Sequence, residues 1–112
     1  MTIAIPIAEG RLAQHFGHCA QFAIISVDPD TKEILARTDV DAPPHQPGLL
    51  PQWLAVQGVT TVIAGGMGQR AQDIFHSEGI ATLIGAPADT PERLVAAHLA
   101  GTLKLGDNVC DH

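Results

Sequence analysis

The chain has 112 residues, 46% of them hydrophobic and only 4% aromatic, and carries a net charge of −6. This length suits one domain whose core must be built from Ile, Val, Leu and Ala, and a charged fraction of 16%, below the usual roughly 25%, argues against disorder. The scattered Lys and Arg form no basic stripe, which argues against nucleic acid as a ligand, and no run reaches the roughly 18–20 apolar residues that span a bilayer.

Residues 2–7 form a short β-type run, and residues 8–11, with Gly10, read as a turn. Residues 20–27 are an apolar run rich in β-branched side chains, followed by the turn signal Asp28-Pro29-Asp30. Residues 32–38 are the next strand, at a spacing that fits a hairpin, so the first third reads as an antiparallel meander. Residues 41–47, with three prolines and His45, read as a loop. A helical pattern begins at Gly48 and stops at Gly58. Residues 59–64 make a buried-type strand, broken by Gly65-Gly66-Met67-Gly68. An amphipathic helix over 69–78 ends at Gly79, with Ala71, Ile74 and Phe75 on one face. Residues 80–84 form a further strand. Thr90 is the expected N-cap of a last helix, with Pro91 at its first position and Gly101 closing it. The order β-β-β-α-β-α-β-α implies an α/β protein with a mixed five-stranded sheet and helices on both faces. Residues 1–101 are the expected domain, and 102–112 a flexible tail.

Ligands of open α/β sheets gather at the carboxyl ends of strands, and three unusual segments map there. In the first, His15, His18 and Cys19 surround Phe16 and Gly17. Imidazole and thiolate suit zinc, copper, iron and cluster metals. His18 and Cys19 read first as a solvated imidazole and a small buried hydrophobe, and second as additional ligands. The second segment holds His45 in a proline-fenced loop, where a side chain is positioned with little loss of chain entropy. In the third, Gly65, Gly66 and Gly68 permit positive φ and close backbone approach. The helix that follows turns its free N–H groups and positive pole toward that loop, which is an anion-binding arrangement or, equally, a tight strand-to-helix turn. His76 and His98 fall within helices and read as surface or core-edge residues. Cys110-Asp111-His112 reads as a frayed terminus or a metal-catching tail. The opening decapeptide lacks the cationic leader of a secretory signal, so the expected location is the cytoplasm, with both cysteines as thiols. The strand ends carry Ile, Ala and Val where a metal-dependent nuclease would need carboxylates. A binding protein is expected, not an enzyme.

These motifs together resemble the dinitrogenase iron-molybdenum cofactor biosynthesis family. The resemblance begins at IAIPIAEGRLAQHFGHCAQFAII, runs through HQPGLLPQWLAVQGVTTVIAGGMGQRAQDIFHSEGI, and closes on HLAGTLKLGDNVCDH. It implies a ribonuclease-H-like fold and carriage of an iron–sulfur/molybdenum-type cluster in place of catalysis, with iron, molybdenum or copper as the metals. It places the cluster-binding residues at His15, Phe16, Gly17, His45, Gly65, Gly66, Met67 and Gly68. The metal ligands would be His15 and His45, with His18, Cys19 and Cys110 as further candidates. Where members often carry Arg after His-Phe-Gly, this chain has His18, exchanging a permanent cation for a titratable group. The implied partners are cluster-donor or acceptor proteins and a partner ATPase, with no nucleic acid or membrane. A different reading makes the chain a regulatory or interaction module for such an ATPase or assembly protein.

Overall fold

Strands apolar on both faces build the centre of the sheet. In the strand Thr2–Ala8 (β1), Ile3, Ile5 and Ile7 face one side and Ala4 the other. The strand Gln21–Val27 (β3) alternates likewise, with Ala23, Ile25 and Val27 on the first side and Phe22 and Ile24 on the second. In Thr61–Ala64 (β5), Ile63 joins the first set and Val62 and Ala64 the second. A period of two on a strand puts each set on its own face, so both faces of this sheet are apolar and both must be covered. The helices Leu49–Val56 (α1) and Gln69–Ser77 (α2) cover one face through Leu54 and Phe75. The helix Pro91–Ala100 (α3) covers the other through Leu94 and Val95. The structure, a computed structural model, describes residues 1–13, 20–43 and 49–106.

The sheet order is β4-β3-β1-β5-β6, with β4 spanning Ile34–Asp41 and β6 Ala81–Ile84. β3 pairs antiparallel with β1 and with β4, which makes the expected meander. β5 lies parallel beside β1, and β6 parallel beside β5. The sheet has six strands, not five. The extra one, Arg11–Leu12 (β2), folds back antiparallel on the end of β1. Glu9 (φ 54°) and Gly10 (φ 79°) between them both take positive φ, as a two-residue hairpin turn requires. Two residues are too few for alternation to announce a strand. β4 also runs further than expected, to Asp41, because Gln21 and Asp41 still face each other across the ladder and Gln21 Nε2 donates to Asp41 Oδ1 at 3.1 Å. Thr90 stands at the N-cap of α3, but its side chain caps nothing. Instead Asp89 Oδ1 accepts from the Thr90 N–H at 2.7 Å. Gly101 closes α3 in the left-handed region, φ 74°, as a C-terminal glycine does.

Past α3, residues 102–106 return across the molecule. Leu103 packs against the α3-side core, and the Gly106 N–H donates to Gly85 O at 2.7 Å.

Candidate functional site

The strand directions decide what shares an edge. β1, β4, β5 and β6 all end at one edge of the sheet, and β3 begins there. At this edge the Ala42 N–H donates to Ala20 O at 2.9 Å. Ala20 follows residues 14–19 and Pro43 precedes residues 44–48, so the chain leaves the segment of His15 and enters that of His45 on neighbouring strands. The turn after β5, with Gly65, Gly66, Met67 and Gly68, opens at the same edge. With strands about 4.8 Å apart, the end of β5 stands roughly 10 Å from the start of β3 and roughly 14 Å from the end of β4. His15, Phe16, Gly17, His18, Cys19, His45 and Cys110 themselves lie outside the described residues.

The glycine turn is described in full. Gly65, Gly66 and Met67 are buried and Gly68 is exposed. These glycines do not use the positive φ open to them: Gly68 sits at φ −63°, ψ 152°, and the left-handed glycines lie elsewhere, at 10, 58, 79, 85 and 101. The chain turns into α2 through extended backbone at its N-cap and needs no left-handed residue. A Cβ on Gly68 would meet nothing within 4 Å, so this glycine leaves space above the helix end. Gln72 holds the turn from behind. Its Nε2 donates to Met67 O at 2.9 Å, while its own N–H donates to Gly68 O at 3.1 Å.

No side chain caps the α2 N-terminus, and no acid lies in its first turn. Helix N-termini favour negative charge through their unpaired N–H groups and dipole. This one carries Arg70 in its first turn, exposed and outside every ion pair among the described residues. The arginine and the positive pole of the helix thus stand together, with Asp73 one turn further along accepting from Gln69 Nε2 at 2.8 Å. A second cation, Arg11, stands opposite Ala8 at the end of β1, and its Nη1 donates to Ala88 O at 3.4 Å. Neither arginine was singled out as a site residue from sequence. A cation in the first turn of a helix opposes the dipole, and that local conflict was the signal for Arg70. Arg11 had none, because β2 was not expected.

Helices that follow parallel strands run back toward the opposite edge. His76, in the last turn of α2, is exposed and has Nε2 3.0 Å from Thr82 Oγ1. His98, in the last turn of α3, is half-buried. Both are remote from the carboxyl edge, in keeping with the surface and core-edge reading. Among the described residues no three His, Cys, Asp or Glu side chains are grouped to hold a metal ion. None of the helices described is long and apolar enough to cross a membrane.

Comparison with known proteins adds the decisive observation. The family model "dinitrogenase iron-molybdenum cofactor" matches residues 1–101. The chain belongs to this family. An uncharacterized protein of Methanocaldococcus jannaschii, MJ0580, is 31% identical over 83 residues, covering 71% of this chain and 70% of its own. The crystal structure of the protein PH0822 matches with TM-score 0.85 at 26% identity, over 94% of each chain. The apo form of the orange protein from Desulfovibrio gigas matches with TM-score 0.72 at 25% identity, over 96% of this chain and 93% of that one. Membership in the dinitrogenase iron-molybdenum cofactor family links this chain to the handling of that cofactor, and so to metal–sulfur clusters and the proteins that exchange them.

Proposed function

We propose that this protein carries or scaffolds an anionic iron–sulfur/molybdenum-type cluster as cargo, without catalysing a reaction on it. The observation that carries this reading is the uncapped N-terminus of α2, which presents Arg70 where an acid would normally sit, directly after the buried glycine turn. Backbone N–H groups and a guanidinium suit the sulfides and oxo groups of an anionic cluster. In this reading the described residues supply a cradle for the anion, while no three of their His, Cys, Asp or Glu side chains are grouped to hold a metal ion. Coordination in this reading falls to His15 and His45, with His18, Cys19 and Cys110 as further candidates and Phe16 and Gly17 shaping the loop. The binding unit in this reading is residues 1–101, with a ribonuclease-H-like strand arrangement, closed by residues 102–106, which pack back on it. Cytoplasmic donor and acceptor proteins would load and unload the cargo.

The test is anaerobic reconstitution with sulfide and either molybdate, iron or copper. The reading expects stoichiometric cluster absorbance in the wild type, weakened by Arg70→Glu and abolished by His15→Ala with His45→Ala. No chromophore in the wild type, or equal loading of the double variant, overturns it.

A further inference from the structure

β4 is an edge strand. One side pairs with β3 along Ile34–Asp41, and among the described residues the other side has no neighbour in the sheet. Edge strands are ordinarily blunted by proline, a covering loop or unpaired charge. β4 has no proline, exposes Leu35 at 63% and Ile34 at 37%, and its register irregularity is confined to its first residues, opposite Ser26 and Val27. Its cation is already neutralised: Arg37 Nε and Nη2 donate to Asp39 at 2.8 and 3.1 Å, and Nη1 donates to Glu92 of α3. These partners hold the guanidinium pKa above its ordinary value, with Asp39 the larger cause.

The direction of the free backbone groups follows from the ladder. The Ala42 N–H bonds inward to Ala20 O, and antiparallel strands alternate. Ala36, Thr38 and Val40 therefore turn their backbone groups toward β3, and Arg37, Asp39 and Asp41 turn theirs outward. A second β4 pairing antiparallel about a two-fold axis must match outward residues with outward residues. Centring the axis on Asp39 sets two Asp39 carboxylates against each other. Centring it between Asp39 and Asp41 sets acids against acids, and centring it on Arg37 sets two guanidiniums together. Centring it on Thr38 places each Arg37 opposite the other copy's Asp39, with no like charges facing. On the other face that register sets Thr38 beside Thr38 and Ala36 beside Val40, all small or apolar pairs of the kind that stabilise cross-strand contacts.

We infer that the protein self-associates through β4, antiparallel about Thr38, joining two six-stranded sheets into one. The Arg37-Thr38-Asp39 sequence is its own electrostatic complement in this register. Because the two copies run in opposite directions, their carboxyl edges face opposite ways, and each copy keeps its own site open.

Sedimentation velocity over a concentration series up to the millimolar range tests this. The wild type should rise from the monomer mass of 11.7 kDa toward twice that value. Asp39→Lys should weaken dimerisation roughly tenfold or more, because it sets a lysine against Arg37 at both symmetric pairs. Asp30→Lys, in the exposed β3–β4 turn, makes the same change in net charge and should leave dimerisation unchanged or slightly tighter. Far-UV circular dichroism establishes that each variant is folded, and Asp39→Pro, which blocks an outward N–H, serves as an independent second disruption. A wild type that stays monomeric throughout overturns the inference. So does a dimer that survives both Asp39 substitutions.

Discussion

Replacing Gly85 by alanine should be among the most damaging changes to a residue that contributes no side chain to the core. Gly85 follows β6 with φ +92°, where an L-residue is disfavoured by about 1–2 kcal/mol. A Cβ there would stand 2.1 Å from Gly106 O, 2.7 Å from its carbonyl carbon and 2.8 Å from its nitrogen. All three are backbone atoms, so no rotamer change relieves the overlap. Residue 106 must leave, and its 2.7 Å hydrogen bond to Gly85 O goes with it, a further loss of about 0.5–1.5 kcal/mol. The two contributions together amount to about 1.5–3.5 kcal/mol, or roughly 6–14 °C in Tm for a domain of this size. Urea unfolding followed by circular dichroism measures it. The same substitution in a chain ending at Leu105 separates the contributions, because the clashing atoms are gone and only the φ penalty of about 1–2 kcal/mol is left. Equal losses in the two backgrounds would refute the clash. A loss below about 0.5 kcal/mol in both would refute the backbone argument as well.

Gln72→Ala should cost about 1 kcal/mol through the lost bond to Met67 O, and should weaken cluster loading in the reconstitution assay more than this stability loss explains. Phe75→Ala, at a fully buried position, should cost about 3–5 kcal/mol by chemical denaturation. Glu92→Gln leaves Arg37 its bonds to Asp39, and with 45% of the Glu92 side chain exposed it should shift stability by less than about 1 kcal/mol. The Asp28 carboxylate accepts from the Asp30 and Thr31 N–H groups at 2.9 and 3.3 Å, which lowers its pKa below the ordinary 3.8. Its folded-state pKa lies below its unfolded one, so its contribution is present above about pH 4 and is lost as pH falls through the lowered value. Asp28→Asn should therefore flatten the acid limb of the stability–pH curve and leave its slope near neutrality unchanged.

The element order was legible in the sequence because both sheet faces are buried. A strand with a core on each side reads as an unbroken apolar run, as residues 2–7, 20–27 and 59–64 do, closed by turn signals. Gly101 after an amphipathic run marked the end of α3 because a left-handed C-cap is a local demand. β2 escaped because its pairing depends on where Ala8 lies in the sheet, and two residues carry no period. The N-cap of α3 was read at Thr90 from residue type, but its side chain caps nothing and the neighbouring Asp89 bonds the Thr90 N–H. The glycines of the 65–68 turn permit positive φ by residue type, and residue type alone does not say whether they use it. The backbone uses extended geometry there and keeps the left-handed region for Gly85, whose need for it is set by Gly106, far along the chain.

The sequence by itself determined the family and the α/β class, because these rest on local patterning and on motifs contiguous in the chain. Only the tertiary structure decided what shares an edge. The parallel pairing of β1, β5 and β6 and the reversal of β3 bring the ends of the segments holding His15 and His45 to the same side as the glycine turn. The same pairing leaves the arginine of α2 beside a bare helix end and leaves the outer side of β4 without a neighbour among the described residues. Hydrogen bonds between strands join residues by register and not by distance along the chain, so no reading along the chain could supply these relations.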